Sequence, residues 1–441
     1  MVQGSIRLFH PTKLTPLSPL CRESLHRYPH SAFRRITTTC ERLEPSPNGE
    51  SKSENKVRLI LGIESSCDDS CASIVSSRRE VLSSVVTKQD HSSTNGIHPL
   101  HAALNHNANL PKTIVEAFNQ AGLHYADVDA VAVTRGPGMA SSLGVGLTCA
   151  KTFSSLFAKP LIYVHHMQAH ALTPLLTEKT GPSFPFLTLL VSGGHTMLVL
   201  AKGINEFSIL ATTGDDSIGD AFDKVARDLE IPWTSAPGSA LEATARGYQE
   251  SMGSNHPIPK STFPVPMKGR PAFSYSGLKS SVSRHIESKG GPGNLSASQR
   301  SKIAFDFQST AISQLEDKVT MALKIDRQEA KPFFKPPPAG TEGERLQVWR
   351  DRQEFRQKLG DASKIKSLVC SGGVASNSFL RSRLRKCLDE MGRQDVVLMF
   401  PPPSLCTDNA AMIAFTGHLL WDQRTFDHDR HARPKWSLQD L

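Results

Sequence analysis

One pattern restricts the fold of this chain more than any other: an apolar run, a turn of glycine, serine or acidic residues, and a second apolar or helical run, recurring along its length. "RLILGIESSCDDSCASIVSS" (58–77) and "PFLTLLVSGGHTMLVLA" (185–201) read as strand, turn, strand. "DVDAVAVTRGPGMASSLGVGLTCAKTFSSLF" (127–157) and "IKSLVCSGGVASNSFLRSRLRKCL" (365–388) read as strand, glycine turn, helix. Mixed α/β order with glycine turns at strand ends predicts an α/β protein whose ligand sits at those ends. Backbone N–H groups there can meet phosphate.

The 441 residues, 38% of them hydrophobic, suffice for two lobes with real cores. No run of about eighteen apolar residues occurs, so no membrane partner is expected. Eight cysteines without a CxxC pair point to reduced thiols. The net charge of +9 is concentrated at the start, where residues 1–40 hold six Arg/Lys against one acid, Glu23. Arg- and Ser/Thr-rich and without an apolar core, this leader reads as a mitochondrial transit peptide, the competing reading being a disordered basic tail, and 41–57 as a linker. Residues 324–364, charged and carrying a PPP run, read as an inserted surface excursion with a short helix over 342–359, outside the core.

His166 and His170 in "YVHHMQAHAL" stand four apart, which on a helix places both imidazoles on one face. Chance alone supplies about one such pair in a chain with seventeen histidines. His26 and His30 form another. A zincin would need glutamate directly after the first histidine, and Met167 stands there, so metalloprotease chemistry is disfavoured. Asp408, just before the apolar helical run "AAMIAFTGHLL", has helix N-cap as its default role. As a third ligand it would complete a His–His–Asp set suited to Fe(II) or Zn(II). Asp68 and Asp69 lie in the first turn, where acids either bond local backbone or orient a cation or substrate. "SGGHT" (192–196) and "SGGVASN" (371–377) suggest a nucleotide; the competing reading is tight turns that need positive φ.

In this order, the motifs resemble the TsaD-type tRNA N6-adenosine threonylcarbamoyltransferases. "LGIESSCDDSCASIV", "GPGMASSLGVGLTCAK", "HHMQAH", "LVSGGHT", "GDAFDKVAR", "FSYSGLKSSV", "SGGVASNSFLR" and "CTDNAAMIA" are similar to successive family blocks. With its leader, the chain looks like the mitochondrial branch. The resemblance implies an actin/Hsp70/sugar-kinase (ASKHA) fold of two RNase H-like lobes, divided as 58–185 and 186–425, with a tail at 426–441. Packing of the last helix on the first lobe is the alternative division. It further implies transfer of threonylcarbamoyl from threonylcarbamoyl-AMP to N6 of adenosine 37 in mitochondrial tRNAs reading ANN codons. A matrix location, a homodimer and one divalent iron or zinc ion per subunit come with it. Carried over residue by residue, His166, His170 and Asp408 are metal ligands. Val191, Ser192, Gly193, Gly194 and His195 form the adenylate turn; Asp223, Gly238, Ser239 and Asn377 match further substrate positions. Asp68 or Asp69 is the candidate acid, base or orienting group.

The chain also departs from the family. "HPLHAALNH" (98–106) places Leu100 and Leu104 where Glu and Arg are usual, "PGSA" puts Ser239 at a customary glycine, and His165 and Gln168 replace Asn and Glu of the metal motif. The alternatives are an ATPase or kinase of the same fold, disfavoured because such enzymes hold Mg²⁺ through carboxylates and phosphates, and a non-catalytic RNA-binding scaffold.

Overall fold

The computed structural model describes residues 56–90, 97–233, 236–252, 259–326, 331–332 and 340–441. The leader, its histidine pair and the linker up to residue 55 lie outside the described residues.

The first sheet is built from β1 (Leu59–Glu64), β2 (Ser70–Ser76), β3 (Val81–Thr87), β4 (Ala130–Gly136) and β5 (Leu161–His165), joined by α1 (Pro99–Ala121) and α2 (Ala140–Phe157) and followed by α3 (His166–Thr177). A second begins with β6 (Phe186–Val191), β7 (Thr196–Ala201) and β8 (Phe207–Thr212). Then come α4 (Ile218–Asp228), α5 (Pro237–Met252), α6 (Ser276–Ser288), α7 (Ala297–Leu323), the short pair β9 (Ile325–Asp326) and β10 (Lys331–Pro332), and α8 (Glu342–Leu359). The chain closes with β11 (Ser367–Ser371), α9 (Ser378–Glu390), β12 (Val397–Met399), α10 (Pro403–Cys406) and α11 (Ala410–Leu419).

Both large sheets have one topology. Their orders are β3-β2-β1-β4-β5 and β8-β7-β6-β11-β12, the first three strands of each antiparallel and the last two added in parallel. This duplicated unit is the pair of RNase H-like lobes of the ASKHA fold.

In β1 the side-chain alternation splits the core. Leu61 and Ile63 face Leu110, Phe118, Leu147 and Phe153 of α1 and α2. Ile60 faces Val164, Ile413 and Phe415 on the other side. Gly62 shares that second face, and its missing Cβ lets α11 lie directly on the strand: a methyl there would stand 2.7 Å from Ala414 N. In the second lobe α7, closed by a Ser296–Gln299 capping box, is buried along most of its length.

One segment differs from the sequence expectation in its burial, and the tail has a structural role of its own. The helix expected over 342–359 is present as α8, closed at its start by a Thr341–Glu344 capping box, but the 324–364 excursion was expected outside the core and α8 is partly in it. It buries Phe355 and Leu359 in the main cluster of the second lobe. Charge density masked those few apolar positions. The 426–441 tail is ordered. Leu161 and Thr425 exchange backbone hydrogen bonds of 2.7 and 2.8 Å, Arg433 N donates to Arg135 O at 2.8 Å, and Leu438 is buried beside Phe186, Leu190 and Val199. Gln439 Oε1 accepts from Ile209 N at 3.0 Å, so the tail straps the first sheet to the second. The described cysteines are all free. No helix among the described residues is long and apolar enough to cross a membrane.

Candidate active site

β5 ends at His165 and α3 starts at His166, so the strand-to-helix junction fixes both histidines of the pair. His165 settles into the N-cap: Nδ1 accepts from Met167 N at 3.1 Å and Gln168 N at 3.3 Å, and Nε2–H donates to Trp436 O at 3.1 Å. Burial pushes its pKa down to about 3, the neutral form that such a cap requires. Gln168 points away from the pair, donating to Ile204 O at 2.8 Å and Asn205 Oδ1 at 3.0 Å.

His166 and His170 lie one turn apart with ring centroids separated by 4.7 Å. Asp408 Oδ1 stands 3.1 Å from His170 Nε2 and 3.6 Å from His166 Nε2. One ligand atom from each of the three falls within 4.8 Å of the others. Asp408 is free for this because Asn409 takes the N-cap of α11, accepting from Met412 N at 2.9 Å. The default capping role therefore belongs to its neighbour.

Glu64, at the end of β1, was missed in the sequence. Its Oε2 lies 3.1 Å from His166 Nδ1 and also accepts from Thr134 Oγ1, while Oε1 accepts from Ser66 N at 2.5 Å. A carboxylate on one imidazole nitrogen directs the other toward a cation, as around bound metals generally. In the sequence Glu64 is only an acid that closes the apolar run "LILGIE"; its burial and its partners appear in the fold. His170 Nδ1 is buried with no hydrogen-bond partner, and the imidazole–carboxylate donor set suits iron or zinc. The residues thus fit a divalent ion.

Burial opposes charge on His166, but Asp408 and Glu64 outweigh it and raise its pKa to about 9. In the metal-free protein that proton stabilises the fold fully below the unfolded value of about 6.5 and is lost as pH rises through about 9. A cation must displace it. Affinity for Zn²⁺ is therefore expected to tighten about tenfold per pH unit between pH 6.5 and 9 and then level off, measured by calorimetry in several buffers.

The glycine turn joins this group through His195, whose ring is 6.3 Å from that of His166. Ser192 Oγ accepts from His195 N at 3.0 Å and Gly194 N at 3.3 Å, closing the turn between β6 and β7. From below, Ser217 Oγ donates to Gly193 O and Gly219 N donates to Ser192 O at 3.2 Å. Gly193 and Gly194 are exposed, have no left-handed φ, and would meet nothing within 4 Å if given a Cβ. Neither conformation nor packing demands glycine there. Gly372 is the opposite case, with φ +102 and its Cα against the Val191 backbone. The positive-φ reading holds for the second turn and fails for the first.

Asp69 faces the same region. Burial, then Asp68 and Asp408, push its carboxyl up to about 7. The turn carrying both acids is clamped by His106, which bonds Cys67 O at 2.9 Å and Ser70 Oγ at 2.7 Å. Leu100 and Leu104, on the same helix, are 60% and 58% exposed. Asp223 on α4 accepts from Gly238 N at 2.8 Å. Ser239, one residue on, is exposed in the first turn of α5. Asn377 caps α9, accepting from Leu380 N at 2.9 Å, and its Nδ2 donates to Gln308 at 3.0 Å. Its amide oxygen and one amide hydrogen are thus engaged within the fold.

A family model described as TsaD, tRNA N6-adenosine threonylcarbamoyltransferase, matches residues 80–415. The chain belongs to this family. The tRNA N6-adenosine threonylcarbamoyltransferase of Paramagnetospirillum magneticum is 37% identical over 385 residues, covering 86% of this chain and 97% of its own. A probable mitochondrial enzyme of that description from Arabidopsis thaliana is 35% identical over 433 residues, covering 93% of this chain and 81% of its own. Among solved structures, full-length HypF in its phosphate- and nucleotide-bound form aligns over 83% of this chain and 56% of its own, with TM-score 0.46 and 12% identity. As a TsaD-family member this chain is a transferase acting on tRNA, modifying N6 of an adenosine with a threonylcarbamoyl group.

Proposed function

We propose that this chain transfers threonylcarbamoyl from threonylcarbamoyl-AMP to N6 of adenosine 37 in mitochondrial tRNAs reading ANN codons. One observation carries the reading: the His166–His170–Asp408 group and the open glycine turn at 192–195 meet through His195, joining a cation site to an adenylate cradle.

N6 attacks the carbamoyl carbon, the bond to the phosphate oxygen breaks, AMP departs, and N6 loses a proton. An exocyclic amine is a poor nucleophile and the mixed anhydride is already activated, so the protein mainly positions and stabilises charge. Backbone N–H groups of the turn bind the adenylate, and Gly238, held by Asp223, is the further substrate contact that the family resemblance implies. Asp69, with a carboxyl near neutrality, receives the proton from N6. His166, His170 and Asp408 hold one divalent iron or zinc ion, which when bound supplies Lewis-acid neutralisation of charge on the leaving phosphate. His165 and Glu64 fix the imidazoles.

The Arg-rich leader and the Arabidopsis relative described as mitochondrial support a matrix location, and the resemblance to that branch supports a homodimer. Nucleoside mass spectrometry of mitochondrial tRNA from cells lacking the protein tests the reading. Threonylcarbamoyladenosine is expected to disappear; an unchanged level would refute it.

A further inference from the structure

The C-terminal strap carries cations that neither the metal group nor the glycine turn uses. Residues 424–436, "RTFDHDRHARPKW", hold Arg424, Arg430, Arg433 and Lys435 against Asp427 and Asp429. The strap brings Arg433 to the end of β4, where Arg135 Nε donates to His431 O at 2.8 Å. Trp436 gathers both guanidinium groups, Arg433 at 4.6 Å and Arg135 at 5.7 Å from its ring. Tyr163 takes Arg430 at 5.4 Å and Arg135 at 5.7 Å.

Asp427 pairs with Arg430 at 3.1 Å. Among the described residues no carboxylate lies within ion-pair distance of Arg135, Arg433 or Lys435. Aromatic faces fix the direction of a guanidinium without cancelling its charge. Like charges are thus held together at a cost: burial and then Arg430 and Arg433 lower the pKa of Arg135. An anionic partner would relieve this. The cluster also adjoins the candidate active site, since Trp436 O accepts from His165 Nε2 and the two rings are 4.8 Å apart. His166 is the next residue.

We propose that Arg135, Arg433 and Lys435 form a docking surface for the sugar-phosphate backbone of tRNA, beside the reacting adenosine. The proposal rests on tRNA as the substrate and adds where it is gripped. Phosphate contacts set register and orientation, so a cluster at this place presents the anticodon region to the cleft.

The test is binding of the full chain to a transcript of a tRNA reading ANN codons, across a range of salt concentrations. Lys435 is exposed and makes no hydrogen bond or ion pair among the described residues, so Lys435→Gln leaves the fold alone. It and Arg433→Gln are each expected to weaken binding about three- to tenfold and to lower the slope of log K against log salt by about 1. The KM for tRNA should rise while that for threonylcarbamoyl-AMP holds. Arg433→Lys separates charge from packing: restored slope supports the surface, whereas loss equal to Arg433→Gln overturns it. Wild-type affinity and slope in Lys435→Gln and Arg433→Gln would also overturn it. A wild-type protein that makes threonylcarbamoyladenosine while those variants bind normally refutes the surface alone; one that binds tRNA through these cations without modifying it refutes the proposed function alone.

Discussion

Asp408→Ala is expected to leave the protein without stoichiometric metal and to slow threonylcarbamoyl transfer by about 100-fold or more, given that losing even an outer partner of a metal ligand typically costs about 10–100-fold. Asp408 Oδ1 stands between the two imidazoles, 3.1 Å from one and 3.6 Å from the other. Without it two nitrogens remain, too few for tight retention of iron or zinc. Asn409→Ala is the matched comparison. It removes the cap of α11 and should cost about 0.5–2 kcal/mol of stability while metal stays bound. Elemental analysis, initial rates and thermal unfolding of the two variants separate ligand from cap. Equal metal content in wild type and Asp408→Ala would remove the ligand assignment.

Gly62→Ala should damage fold and site together. An added Cβ would meet the Ala410 carbonyl, with Ala414 N at 2.7 Å and Ala414 Cβ at 2.9 Å. Two of these are backbone atoms, which cannot rotate away, so α11 must lift from β1. Overpacking of this kind costs about 1–3 kcal/mol. Asp408 and Asn409 sit at the start of the displaced helix, so metal retention should fall alongside the melting temperature. A variant that melts lower yet keeps its metal would show that α11 does not set the position of Asp408.

Some of this was legible in the chain. Apolar runs broken at "ESSCDDS", "SGGHT" and "SGGVASN" announce strands ending in ligand-facing turns, because local hydrophobic pattern and turn chemistry act over a few residues. The spacing of His166 and His170 likewise needs only one helical turn. Other features resisted. Glu64 looks like the polar end of a strand until Thr134, Ser66 and His166 are seen around it. The α8 segment reads as solvated, since four buried positions in an 18-residue helix are lost among its charges. His165 could not be told from an incidental polar residue, because capping depends on where β5 stops.

The sequence by itself determined the α/β class, the repeated strand-and-turn units and the family, all of which depend on local pattern or on motif order. Tertiary structure alone decided which distant groups share a site. Asp408 reaches His170 across 238 residues because a glycine on β1 admits α11, and Asn409 rather than Asp408 pays the capping role. Arg433 reaches Arg135 because the strap bonds to the edge of the first sheet. Charge and ligation act through space over a few ångströms, and only the packed fold sets those distances.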